Sequence, residues 1–534
     1  MRARNMVALA LLLGLCARAE AAGTLVVCTE ANPDALNAQL STANTSFDVT
    51  EQIADRLVGM KTGGSELVPG LAESWSISED GLVYTFKLRH DVKWQSNAKF
   101  KPSRDFNADD VVFSFKRMMD PQNPFSKSVN GYFPMFADLL AEPVKSVTKV
   151  SDDTVVFELK HPFAPLLSTL TMQPMSIVSA EYAALLEKSG ELRELDTNPI
   201  GTGPFSLVQY QKDTAIRFRA FPDFWGIKAG SDRAPKVDTL IFSITPDASA
   251  RFARLRTNEC QIMRYPNPAD LAAMRADPNL MVQDATIAAM DYITFRANKP
   301  PLDDKRVRQA LAQAIDIDDL VKVVYQGSGT PTAAMIPPTL FGHDASLQPR
   351  KYDPEGAKKL LAEAGHPGGG FKVDLWAIPV VRAYMPNGKR TAEMIQADWA
   401  KIGVEANIVT YEWGEYLKRA RAGEGDVVML GGTWDYPDPS EQLLGFTCEA
   451  IKSGGNSSHW CNQAYSDAVN KANLVTDIGE RSKLYIAAQK AFYDDVAAVQ
   501  FADVKAFVPM RKTVSGFKLH FLGGQPFGGV SVGQ

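Results

Sequence analysis

Few side chains in this 534-residue chain are spaced as catalytic groups need to be. The histidines, His90, His161, His343, His366, His459 and His520, are scattered. None forms the i, i+4 helical pair that binds zinc, and no Cys-x-x-Cys accompanies them. Gly529-Val-Ser-Val-Gly533 matches the nucleophile-elbow pattern. That elbow requires a strand before the serine and a helix after it. The sequence reaches only Gln534, so we read a chance match. The carboxylate pairs Asp109-Asp110, Asp303-Asp304 and Asp318-Asp319 fall where helices begin, a setting that favours caps over acid/base pairs. The expectation is a protein that is not an enzyme, with no metal and no cofactor.

The cysteines and the amino terminus bear on compartment. Arg2 and Arg4 precede the apolar run Val7–Leu15, and Ala17-Arg-Ala-Glu-Ala-Ala22 follows. A basic start, an apolar core of about 7–15 residues and an Ala-x-Ala site describe a secretory signal. The run is shorter than the roughly 20 residues of a membrane span. Residues 1–22 are therefore expected to be removed, with Ala19-Glu20-Ala21 as the favoured site and Ala17-Arg18-Ala19 as the alternative. A lipoprotein reading through Cys16 is disfavoured by the bulky Leu15. The expected compartment is the periplasm. Four cysteines remain: Cys28, Cys260, Cys448 and Cys461. An even number in an oxidising compartment points to two disulfides with three possible pairings. Cys448 and Cys461 flank the flexible stretch Lys452–Ser458, so a local bridge is the natural choice, which leaves Cys28 with Cys260. Four buried free thiols are the alternative.

Removing residues 1–22 takes three Arg and one Glu from 57 basic and 62 acidic residues, which leaves a net charge of about −7. This acidity is spread along the chain. It offers no basic patch for nucleic acid, and no interaction surface beyond a monomer is implied. The length fits two or three lobes.

These residues must be held by alternating strands and helices. Thr24–Thr29 reads as a buried strand and Ser41–Ser46 as a loop of small polar residues. Glu79-Asp-Gly81 turns a hairpin between Ser74–Ile77 and Tyr84–Leu88. Asn107 caps a helix through Phe115. Val144–Val150 and Asp153–Leu159 form a second hairpin. Helices are expected from Asp303 toward Ile315, at Pro354–Ala364, Ala392–Ile402 and Trp413–Arg421. Strands are expected at Phe371–Leu375 and Val404–Tyr411, with Gly368-Gly-Gly370 as a turn rather than a phosphate loop. Such alternation implies α/β lobes.

Gly70-Leu-Ala-Glu-Ser-Trp-Ser-Ile-Ser-Glu-Asp-Gly81, Tyr84–Arg89, Val92-Lys-Trp94, Asn107–Ser114, Asn198-Pro-Ile-Gly-Thr-Gly-Pro-Phe205 and Asp304–Leu311 together resemble the signature of the family 5 extracellular solute-binding proteins. Phe242–Ser249, Tyr265–Asp270, Ala392–Lys401 and Ile408–Arg419 are most similar to its dipeptide-binding members, and the likeness covers essentially residues 23–534. The resemblance implies an α/β periplasmic binding protein of type II, with two lobes, a hinge and an extra subdomain. Lobe I would hold residues 23–285, with the subdomain at about 55–200, and receive the returning 507–534; lobe II would hold 286–506. The chain would cross between lobes near Gln283–Asp291 and Phe501–Val508. Hinged closure around a ligand is the general behaviour of such proteins. The cysteine positions match those of the family's Cys28–Cys260 and Cys448–Cys461 bridges.

The implied activity is capture of short peptides for an ABC membrane permease. Asp435, in Thr433–Asp438, matches the residue that pairs with the peptide ammonium. Arg382, in Pro379–Tyr384, matches the one that pairs with the carboxylate. Trp434, Thr433, Tyr384 and Thr45 complete the expected ligand-binding set. Sealing a zwitterion between lobes strips its water, so each charge needs an opposite partner, and the guanidinium fork suits a carboxylate. The loop departs from the dipeptide-binding pattern: Trp434 replaces Gly, Tyr436-Pro437 replaces Asn-Gly, and Ala383 and Met385 replace Pro and Asn, while Tyr436-Pro-Asp-Pro439 resembles wider members of the family. These changes bear on pocket size and peptide length. They leave tripeptide, oligopeptide, glutathione or haem binding as alternatives within the family, and a secreted peptidase as one outside it.

Overall fold

The computed structural model describes residues 23–533 except Gly523; the expected signal segment, residues 1–22, lies outside the described residues. No helix among them is long and apolar enough to cross a membrane.

Three sheets organise the chain. The largest has eight strands, in the order Leu280–Thr286, Ala502–Arg511, Ile262–Met263, Thr24–Thr29, Thr239–Ile244, Ala215–Ala220 and Phe205–Gln211, with Gly329–Pro331 added on Ala502–Arg511. Thr24–Thr29 (Thr-Leu-Val-Val-Cys-Thr) is central and runs parallel to both neighbours. Its near-continuous apolar character is what a doubly covered parallel strand requires. Cys28 on this strand stands 2.30 Å, S to S, from Cys260.

A five-stranded sheet is ordered Glu405–Val409, Lys372–Trp376, Val427–Thr433, Ala289–Phe295 and Ala498–Gln500. Its first three strands are mutually parallel. Their helices are Gly388–Ala400 and Trp413–Arg421, which follow strands and pack Trp399 and Tyr416 inward without exposure. A four-stranded antiparallel sheet comprises Ala72–Ile77, Val83–Leu88, Thr154–Leu159 and Val144–Ser151. Its apolar cluster draws residues from Leu57 to Ile200, together with Tyr436 from far along the chain.

The chain passes from the first sheet to the second between Thr286 and Ala289, and returns at Phe501 between Gln500 and Ala502. The Ile287 N–H donates to the Val504 carbonyl at 2.9 Å, tying the two crossings together. The expected boundary at 506/507 falls inside the continuous strand Ala502–Arg511.

Local chemistry explains the element ends. Asn107 and Asp110 form a reciprocal capping box at the start of Ala108–Met119. Asp304 and Asp316 cap the helices Lys305–Gln313 and Ile317–Tyr325, so the acidic pairs serve helix starts. Ser531, of the elbow-like motif, sits in the short strand Ser531–Val532, which pairs with Val514–Ser515.

One expectation is corrected. Ser41–Ser46 is not wholly a loop, because the helix Asn44–Thr50 begins within it and carries Thr45. Asp34 stabilises that start from outside, accepting from the Thr42 amide at 3.0 Å and hydroxyl at 2.7 Å and from the Ser46 hydroxyl.

Candidate ligand site

The two expected anchors rise from neighbouring parallel strands. Lys372–Trp376 and Val427–Thr433 pair in parallel, Trp376 opposite Val428. The segment with Arg382 follows the first strand, and the segment with Asp435 follows the second. Loops at the carboxyl ends of parallel strands are where open α/β sheets bind ligands.

Arg382 is exposed. It exchanges backbone hydrogen bonds with Met385, at 3.2 and 3.0 Å, which close a tight turn. Its guanidinium lies 5.3 Å from the centre of the Trp413 ring, a cation–π arrangement, and neighbours the Tyr384 hydroxyl. Tyr384 is buried, and burial holds its hydroxyl above the usual range while Arg382 opposes that shift. Its ring occupies the space a side chain at Gly431 would need, and the Tyr325 Oη lies 2.9 Å from its carbonyl.

Asp435 is half-buried between two buried aromatic residues. Trp434 belongs to an apolar cluster that includes Met290, Met335 and Leu443, as well as Phe521 and Leu522 from beyond the second crossing. Its amide donates to the Ala288 carbonyl at 2.9 Å. Tyr436 turns the other way, into the apolar cluster of the four-stranded sheet. Trp434 and Tyr436 thus place the residues on either side of Asp435 in two different apolar clusters. Thr433 is exposed at the strand end and gives its carbonyl to the Gln442 amide at 3.2 Å.

Glu441 was not anticipated. Its carboxylate accepts the Asp435 amide at 3.1 and 2.9 Å and the Tyr436 amide at 3.3 Å. Burial pushes the Asp435 carboxyl up to about 6. Burial first, and then the Asp435 charge, hold Glu441 well above the usual carboxylate range. Two buried, neighbouring carboxyl groups resist joint ionisation, and a cation brought against them would favour their charged forms. Below the loop, Asp438 and Arg481 form a buried bidentate pair at 2.8 and 2.7 Å. Thr45 is buried on the helix Asn44–Thr50, and among the described residues no hydrogen bond joins it to Asp435 or Arg382. Cys448 and Cys461 stand 2.09 Å apart, S to S, closing the segment beyond.

The model of the bacterial extracellular solute-binding proteins, family 5, matches residues 66–454. The chain belongs to this family. It is 48% identical over 514 residues to the dipeptide-binding protein of Escherichia coli K12, covering 96% of this chain and 95% of that protein. The structure of HbpA2 from Haemophilus parasuis superposes with a TM-score of 0.92 at 41% identity, covering 96% of this chain and all of that one. The dipeptide-binding protein of Pseudoalteromonas sp. SM9913, solved with Met-Leu, gives 0.75 at 34% identity, covering 96% and 100%. Family 5 chains have the mixed α/β, two-lobed type II fold of periplasmic binding proteins, and this chain shares it.

Proposed function

We propose that this solute-binding protein captures dipeptides in the periplasm and presents them to an ABC permease. The residue pair Asp435 and Arg382, raised on adjacent parallel strands, supports this reading most directly. Asp435 receives the peptide ammonium and Arg382 the carboxylate, so the separation of the two charges selects for short zwitterions. Thr433 and Tyr384 frame the anchors from the same lobe, and Thr45 approaches from the other. Residues 23–286 and 502–534 form the first lobe and 289–500 the second, since the strand Ala502–Arg511 belongs whole to the first sheet. They close about the crossings at residues 286–289 and 501, because only the closed form contacts the ligand from both sides.

Titration calorimetry with di- and tripeptides tests the assignment. Removing one partner of a desolvated ion pair costs about 3–5 kcal/mol, so Asp435→Ala and Arg382→Ala each weaken dipeptide binding by roughly two to four orders of magnitude. Arg382→Lys recovers part of the loss, since the fork is gone. N-acetylated dipeptides bind poorly to wild type and lose little more in Asp435→Ala, because both changes remove the same contact. Dipeptide affinity within about threefold of wild type in either alanine variant refutes the assignment. Release of free amino acids from dipeptides by the purified protein supports a peptidase instead.

A further inference from the structure

Asp291 is buried without exposure in the strand Ala289–Phe295, opposite Gly431 of Val427–Thr433. One carboxylate oxygen accepts the amides of Phe501 and Ala502, at 3.0 and 3.1 Å, where the chain returns to the first sheet. The other oxygen is hydrogen-bonded to the Tyr325 hydroxyl, whose oxygen also lies 2.9 Å from the Tyr384 carbonyl. A phenol has one hydrogen to donate. With Asp291 ionised, that hydrogen serves either the carboxylate or the carbonyl, and the remaining contact sets lone pairs against each other between buried groups. A proton on Asp291 satisfies every atom: Oδ2–H donates to Tyr325 Oη, and Tyr325 Oη–H donates to the Tyr384 carbonyl.

We propose that Asp291 holds a proton and, through Tyr325 and the Tyr384 carbonyl, positions the turn bearing Arg382 against the second inter-sheet crossing. Asp291 and Tyr325 are then positioning residues for the ligand-carboxylate anchor, which rests on the reading of Arg382 given above. The surroundings agree. Burial pushes the Asp291 carboxyl up to about 7, against the opposing bonds from Tyr325, Ala502 and Phe501. From the strand Ala502–Arg511, the Asp503 charge pushes the same way; Asp503 in turn faces His343. The helix Ile317–Tyr325 contributes Tyr325 to this site, the Arg382 turn contributes Tyr384, and Val427–Thr433 contributes Gly431.

Asp291→Asn provides the test, because its amide oxygen still accepts both backbone N–H groups and its NH2 donates to Tyr325 as the protonated acid does. A carboxyl raised from 3.8 to about 7 binds a proton in the folded chain that the unfolded chain lacks, so stability falls as pH rises across this window. Compared with wild type, Asp291→Asn loses that component of the pH dependence of thermal stability. The infrared difference between wild type and Asp291→Asn at about pH 6 shows a protonated carboxyl band. Tyr325→Phe, with its near-ultraviolet circular dichroism unchanged, weakens dipeptide binding about tenfold. Absence of the carboxyl band, or an unchanged pH slope in Asp291→Asn, overturns the proton assignment. Wild-type affinity in Tyr325→Phe overturns the positioning role. Should Arg382→Ala bind dipeptides normally, the anchor reading fails instead, and the infrared result decides the proton by itself.

Discussion

The Tyr384 ring rests on the bare α-carbon of Gly431: a methyl group there would stand 2.5 Å from Tyr384 Cδ2 and 2.5 Å from the Met290 carbonyl oxygen. The strand that leads to Asp435 thereby seats the turn that carries Arg382. Gly431→Ala must displace the ring, and Arg382 with it. We expect dipeptide affinity to fall at least about tenfold while the fold persists. Calorimetry, with circular dichroism as the folding control, checks this; unchanged affinity would show that the two loops move independently.

Peptide affinity should decline as the medium is acidified. The free Asp435 carboxyl sits at about 6, and a bound ammonium favours its ionised form. Below about pH 6, binding must therefore expel a proton, and affinity drops by up to about tenfold per pH unit. Calorimetry in buffers of different ionisation enthalpy reads the released proton directly. The ligand-free protein has the opposite sign: its raised carboxyl takes up a proton on folding, so this group stabilises it as pH falls from about 6 toward 3.8.

Asp438 and Arg481 are 0% and 4% exposed at their side chains, and hold the loop between Asp435 and the helix Ile478–Asp495. Asp438→Ala leaves a buried guanidinium unpaired, at a cost of about 3–5 kcal/mol. Chemical denaturation should register that loss. A destabilisation below about 1 kcal/mol would mean the pair is solvated in solution.

Both cysteine pairs should be oxidised in exported protein. Non-reduced, denatured protein should show no free thiol, and reduction should destabilise it. The Cys448–Cys461 bridge, spanning 13 residues, contributes about 3 kcal/mol in a chain-entropy account. Detection of four thiols would refute the pairing.

Saturating dipeptide should reduce the radius of gyration in small-angle scattering, as two bodies joined by two short crossings close on the ligand. An identical radius with and without peptide would argue for a preformed closed cleft.

The elements that were legible in the sequence are those with local causes. Asn107, Asp304 and the three glycines at 368–370 each act within a few residues, and they sit where their chemistry predicts. The helix at Asn44–Thr50 was hidden because its start is secured by Asp34, while Ala43 at the cap position makes no side-chain bond. Asp435 and Arg382 are proposed through motif likeness alone, since an isolated charge carries no local sign of a role. Asp291, Tyr325 and Tyr384 are separated along the chain by 34 and 59 residues. Nothing in Ala289-Met-Asp-Tyr-Ile-Thr-Phe295 marks an acid that will be sealed against another strand's amides. Glu441 was missed for the same reason: its partners are backbone N–H groups, which a side-chain pattern does not display.

The strand Ala502–Arg511 lies between Leu280–Thr286 and Ile262–Met263, inside the largest sheet. Until those late residues are free to fold, the earlier strands have a gap where their neighbour belongs. The five-stranded sheet, whose last strand ends at Gln500, has all its parts sooner. Order of assembly is thus written into connectivity: the body inserted mid-chain can mature first, and the body that begins the chain must wait for its end. Such distant pairing makes folding slow and leaves an exposed edge in the interim, so a chain cut short near residue 500 would leave its first-made half unfinished.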